Sequence, residues 1–147
     1  KQTKSMVASL VALGDGLFPE PRELQTIGPG RLADECKLGF RARTVDTVTD
    51  QLLQDKAIET DGSARDDSID YDYLISLRGI GPYAAAHTMM LMRNFETLPV
   101  DSEVSAYLRQ QGLDPKHAQS AFQHWGKYRF LGYKLKRIVD KANWIGD

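Results

Sequence analysis

The chain has 147 residues, 41% of them hydrophobic and 27% charged, which sizes it as one globular domain with its own core and argues against a disordered chain. No apolar run approaches the ~20 residues of a membrane-spanning helix, and no charged stretch followed by an apolar one reads as a secretory leader. The formal net charge is −1, and the single cysteine, Cys36, excludes an internal disulfide and a cysteine-ligated zinc or iron–sulfur centre.

Helical periodicity runs along nearly the whole chain. Met6, Val7, Leu10, Val11 and Leu13 share a face of a first helix, which Gly14 and Gly16 stop. Lys1 opens the chain inside that periodicity, so further residues are expected upstream. Phe18-Pro19-Glu20-Pro21 is a turn, and Pro21 can open a short helix to Ile27. Gly28-Pro29-Gly30 breaks it before a second short helix from Leu32 to Cys36. Val45, Val48, Leu52 and Leu53 predict a longer helix from about Arg41 to Ile58. The polar stretch Thr60 to Ser68 predicts a mobile loop. Short helices follow over Ile69–Leu77 and Pro82–Arg93, then Ser102–Gln111, Pro115–Trp125 and Tyr128–Asn143, with Phe95–Pro99 as a connector. No stretch alternates as a strand. The predicted fold class is therefore all-α, a multi-helix globular domain over residues 1–147.

Charge is unevenly spread. Between Lys127 and Lys141 six basic side chains face Asp140 alone, whereas between Asp55 and Asp72 seven acids face Lys56 and Arg65. Such asymmetry can orient a polyanion on one face, although two solvated surfaces that cancel are the plainer reading of charge alone.

The most informative stretch is Leu77-Arg78-Gly79-Ile80-Gly81-Pro82-Tyr83-Ala84-Ala85. Two glycines in one turn permit positive φ and close approach of another backbone. Ile80 between them is expected to point into the core, and Pro82 suits the first position of a helix. The amides of Gly79, Gly81 and Tyr83 would then face outward at a helix N-terminus and bind an anion, phosphate above all. Asp101 stands at the predicted start of another helix, which favours negative charge. Aspartate is also a common N-cap, and the helical pattern does not separate a cap from a catalytic carboxylate.

These segments resemble the helix-hairpin-helix DNA glycosylases of base excision repair, closest to the alkylbase (3-methyladenine) branch. The hairpin is followed by Leu98-Pro99-Val100-Asp101, where that family carries its aspartate. Phe18-Pro19-Glu20-Pro21, Leu38-Gly39-Phe40-Arg41-Ala42-Arg43 and the aromatic-basic run Trp125–Tyr133 resemble further segments of the branch. The resemblance spans about Lys4 to Lys136. It implies a hydrolase of double-stranded DNA that cleaves the N-glycosidic bond of a damaged base turned out of the helix, with an alkylated purine as the expected substrate. It implies Asp101 as the catalytic carboxylate, stabilising positive charge on the sugar and orienting the attacking water. Glu103, the nearest rival, is expected to face elsewhere on its helix.

The resemblance further implies that Tyr83, His87 and Tyr128 line the base pocket, with Tyr and His where relatives use Trp. Bifunctional relatives carry an imine-forming lysine after the hairpin. Tyr83 stands there, and no Lys lies between Lys56 and Lys116, so the activity is expected to lack a lyase step. Lys134 is expected to add a phosphate contact. In some relatives hairpin carbonyls hold a monovalent cation, Na⁺ or K⁺; those of Ile75, Leu77 and Ile80 correspond, and no metal is required. The chain is expected to be the C-terminal helical part of a longer monomeric protein. Its DNA wedge residue would lie upstream of Lys1, and its compartment would be the bacterial cytoplasm, the nucleus or an organelle rather than the exterior. Two alternatives stay open: a non-catalytic helix-hairpin-helix DNA-binding module, in which Asp101 only caps a helix, and an all-α protein-interaction domain.

Overall fold

Helices supply the regular structure of the protein, as the periodicity predicts. The computed structural model describes residues 2–65 and 68–144, with side chains described over 3–65 and 68–141. Among them no strand forms, and one isolated antiparallel bridge pairs Ile58 with Ala64. No described helix is long and apolar enough to cross a membrane. The chain divides into two compact units, residues 1–80 and 81–147.

The first unit holds α1 (Gln2–Leu13), α2 (Pro21–Asp34), α3 (Arg41–Gln54) and α4 (Tyr71–Ser76). Pro21 opens α2 as expected, and the Glu23 carboxylate accepts the Glu20 amide at 2.8 Å in a capping box. Gly28 breaks α2 inside with φ 70 and ψ 164, so the two predicted short helices are its two halves. Leu10, Leu24, Leu32, Cys36, Leu38 and Ala42 form the core of this unit, and burial pushes the Cys36 thiol up.

α3 ends four residues before the predicted Ile58. Lys56 adopts φ 56, its amide donates to the Leu53 carbonyl at 3.1 Å, and the Ala57 amide donates to Leu52 at 2.9 Å. This is a Schellman closure with a lysine in the left-handed position. Asp70 caps α4 by accepting the Tyr73 amide at 2.7 Å. The Thr60–Ser68 stretch includes Asp66 and Asp67, which lie outside the described residues.

The second unit holds α5 (Pro82–Leu91), α6 (Ser102–Gln110), α7 (Ala118–Ala121) and α8 (Arg129–Trp144). The helix predicted over Pro115–Trp125 is broken: α7 lies between 3-10 turns at Pro115–His117 and Gln123–Tyr128, the latter bent at Gly126 with φ 53. Tyr133, 1% exposed, sits at the centre of this core, edge-on to Tyr107 and Phe122. Gly132 on α8 leaves the room that the Trp125 indole fills, since a Cβ there would overlap the ring.

Candidate active-site cleft

Asp101 is placed by a connector fastened at two points. The Phe130 amide donates to the Phe95 carbonyl at 3.0 Å. The Gln119 carboxamide grips Leu98 from both sides, accepting its amide at 2.9 Å and donating to its carbonyl at 2.7 Å. Leu98 and Pro99 are buried, so the chain enters α6 from a fixed direction. Asp101 is the N-cap of α6, and its Oδ1 accepts the Val104 amide at 2.8 Å. Oδ2 has no hydrogen-bond partner among the described residues. The capping role that the sequence leaves open is therefore real, and one oxygen remains for other work.

The Asp101 carboxylate lines a cleft with Tyr83 and His87 of α5 and with Lys134 and Arg137 of α8. The cleft encloses about 50 Å³, room for roughly one or two waters at ~30 Å³ each and not for a purine. Tyr83 and His87 stack on each other with centroids 5.6 Å apart and planes 26° apart. They form one aromatic wall, not two facing walls, and Tyr83 is 45% exposed.

Glu103, expected to face away, also lines this cleft. Its Oε2 pairs with Arg137 Nη1 at 2.8 Å, and the same guanidinium nitrogen donates to the Tyr133 hydroxyl at 3.1 Å. Burial raises the Tyr133 phenol above its ordinary value, and the Arg137 cation opposes that rise. Lys134 stands over the Phe130 and Tyr133 rings at 5.2 and 5.8 Å, so its amine belongs to the cleft as well as to the basic surface.

The other expected residues fall elsewhere. Tyr128 does not line the cleft. It ends the 3-10 turn before α8, 48% exposed, with Lys127 Nζ 5.3 Å from its ring. In the glycine turn only Gly79 is left-handed, at φ 95, and Thr44 Cγ2 would stand 2.6 Å from a Cβ there. Gly81 is extended, at φ −100, with nothing within 4 Å of a Cβ. Ile80 is half-buried, outside both core clusters, because the turn leaves it at the surface of its unit. No side chain caps α5, which leaves the Tyr83 amide in its first turn without a side-chain partner.

The Leu77 carbonyl accepts the Ile80 amide at 3.0 Å, and among the described residues those of Ile75 and Ile80 accept no backbone amide outside the helices. Neutral carbonyl oxygens of this kind suit a hard monovalent cation. Among the described residues no three His, Cys, Asp or Glu side chains cluster as a metal site.

Sequence reasoning missed Arg137, Tyr133 and Gln119. The first two carried a signal: 130, 133, 134 and 137 share one face of α8. Gln119 carried none, because its partner lies 21 residues away. No protein-family model, no curated protein and no solved structure matches this chain.

Proposed function

We propose that the chain is the helical part of a monofunctional DNA N-glycosylase acting on a damaged base, an alkylated purine foremost, turned out of duplex DNA. One observation carries the proposal: Asp101 caps α6 with one oxygen and shares its cleft with the stacked rings of Tyr83 and His87. Breaking the glycosidic bond builds positive charge on the sugar, which the Asp101 carboxylate stabilises. The free Oδ2 orients the water that attacks C1′ and takes its proton. The Tyr83–His87 wall offers a face on which a cationic base stacks.

The uncapped N-terminus of α5, with the Gly81 and Tyr83 amides, suits a DNA phosphate. The Ile75, Leu77 and Ile80 carbonyls would hold a monovalent cation, Na⁺ or K⁺. Tyr83 in place of an amine favours hydrolysis over an imine route.

The capping bond from Val104 favours a second reading, a DNA-binding module in which Asp101 does no chemistry. Because the helical part need not turn over alone, the experiment is incubation of the full-length protein with duplexes carrying one methylated, deaminated or oxidised base, followed by alkali. Abasic sites in the methylpurine duplex are expected. Duplex binding with no abasic site on any substrate selects the binding module.

A further inference from the structure

Tyr133 and Asp101 line the same cleft without bonding each other. The Tyr133 hydroxyl oxygen accepts Arg137 Nη1 at 3.1 Å, and its own proton has no acceptor among the described residues. A buried hydroxyl ordinarily donates as well as accepts. The Asp101 charge acts on this phenol, so the hydroxyl end of the ring lies within range of the carboxylate. Asp101 Oδ2 is the complementary group, an acceptor without a donor among the described residues. A donor and an acceptor that share a cleft beyond hydrogen-bond reach are commonly bridged by water. This cleft, at about 50 Å³, has room for one or two.

The charged side chains of the cleft are Asp101, Glu103, Lys134 and Arg137. Glu103 and Arg137 pair at 2.8 Å, which leaves Lys134 as the rival donor to a water at Asp101. Lys134 is exposed, on a flexible four-carbon stem, with its amine over the Phe130 and Tyr133 rings. Tyr133 is fixed instead. Its ring stands edge-on to Tyr107 and Phe122, and the guanidinium that holds its oxygen is itself held by Glu103. A reacting water is oriented best by a group whose own rotamer is locked by packing and by a supporting hydrogen bond.

We infer that the Tyr133 hydroxyl is a second catalytic group, donating to the attacking water while Asp101 Oδ2 accepts a proton from it. Arg137 and Glu103 are positioning residues behind that hydroxyl. The inference rests on the glycosylase reading. In the step, the water oxygen bonds to C1′, the bond from C1′ to the base nitrogen breaks with its electron pair leaving on the base, and one water proton passes to Asp101. Tyr133 keeps its own proton throughout. Burial, which holds its phenol above the ordinary range, suits a donor and not a base.

The test is single-turnover base release by the full-length protein from a methylpurine duplex, in water and in aqueous methanol. Tyr133→Phe keeps the ring and removes only the hydroxyl. It should bind the duplex as wild type does and release base about 10- to 100-fold more slowly. With the water no longer held, methanol should compete better, and the ratio of methyl deoxyriboside to abasic site should rise. A merely structural loss slows both products alike and leaves that ratio unchanged. Arg137→Met keeps the hydroxyl, removes its positioning partner and should raise the same ratio. It carries the test if circular dichroism shows Tyr133→Phe unfolded. Release by Tyr133→Phe at the wild-type rate, or slower release with an unchanged ratio, overturns the inference. If Asp101→Asn is inactive in the same assay, the glycosylase proposal stands without it. No abasic site from wild type on any substrate removes the glycosylase reading and this inference together.

Discussion

Asp101 holds the Val104 amide at 2.8 Å through Oδ1, while the same carboxylate lines the cleft beside His87. Capping and the proposed catalysis are thus separable at one residue, because asparagine caps as well as aspartate but carries no charge. Asp101→Asn is expected to melt within about 0.5 kcal/mol of wild type. Its single-turnover base release should fall about 10²- to 10³-fold. Asp101→Ala should in addition lose about 1 kcal/mol of stability with the cap. An Asp101→Asn protein that releases base at the wild-type rate takes Asp101 out of the chemistry.

The two glycines of the turn should respond oppositely to substitution. Gly79→Ala must adopt φ 95 and meet the Thr44 side chain at 2.6 Å. Left-handed strain of ~1–2 kcal/mol and the overlap together predict a loss of about 2 kcal/mol or more by urea melts. Adding Thr44→Ala should recover the overlap part only, as a positive coupling in the double-mutant cycle. Gly81→Asp enters open space on extended backbone and should fold normally. It puts a carboxylate where a phosphate is proposed, so DNA binding should weaken about tenfold for lesion and plain duplex alike. Unchanged DNA binding by this variant removes α5 as a phosphate site.

Lys134 tests the monofunctional reading directly, since its amine lies in the cleft. As a phosphate contact, Lys134→Ala should shallow the log–log salt dependence of DNA binding by about one unit. Borohydride added during turnover should trap no covalent protein–DNA adduct in wild type. An adduct that vanishes in Lys134→Arg assigns imine chemistry to Lys134 and replaces hydrolysis with a lyase step.

Alkaline stability should carry a signature of Tyr73. Its hydroxyl donates to Asp55 Oδ2 at 2.9 Å, and burial followed by that bond pushes the phenol from 10.0 up to about 12. A folded-state value above the unfolded one stabilises fully below pH ~10, and the stabilisation is lost as pH rises toward ~12. Urea melts of wild type and Tyr73→Phe should therefore differ in slope against pH across that window. Parallel slopes would mean that Tyr73 titrates alike in both states.

Local chemistry made much of the fold legible. Pro21, Gly28 and Gly79 act through their own backbone sterics, so the opening of α2, its break and the turn before α5 could be read directly. Asp70 and Asp101 cap through an amide three residues on, which is also local. Helix ends were less legible where lysine or arginine takes the left-handed position. Lys56 at φ 56 and Arg93 at φ 65 close α3 and α5 without the glycine that usually announces such an end. The Pro115–Trp125 helix failed at His117 and Phe122, whose φ/ψ of −101/21 and −115/17 leave the helical region on either side of α7.

By itself the sequence determined an all-α chain, a glycine turn ahead of α5, and an aspartate at the head of α6, because each depends on neighbours within a few residues. The tertiary structure alone decided what surrounds that aspartate. Gln119 reaches back to Leu98, Arg137 crosses to Glu103 over 34 residues, Lys134 enters the cleft, and Tyr128 stays out of it. The placements of Arg137 and Lys134 follow from how α8 lies against α6 through the buried Tyr133–Tyr107 contact. Packing of that kind is set by the shapes of distant side chains, which periodicity along the chain does not encode.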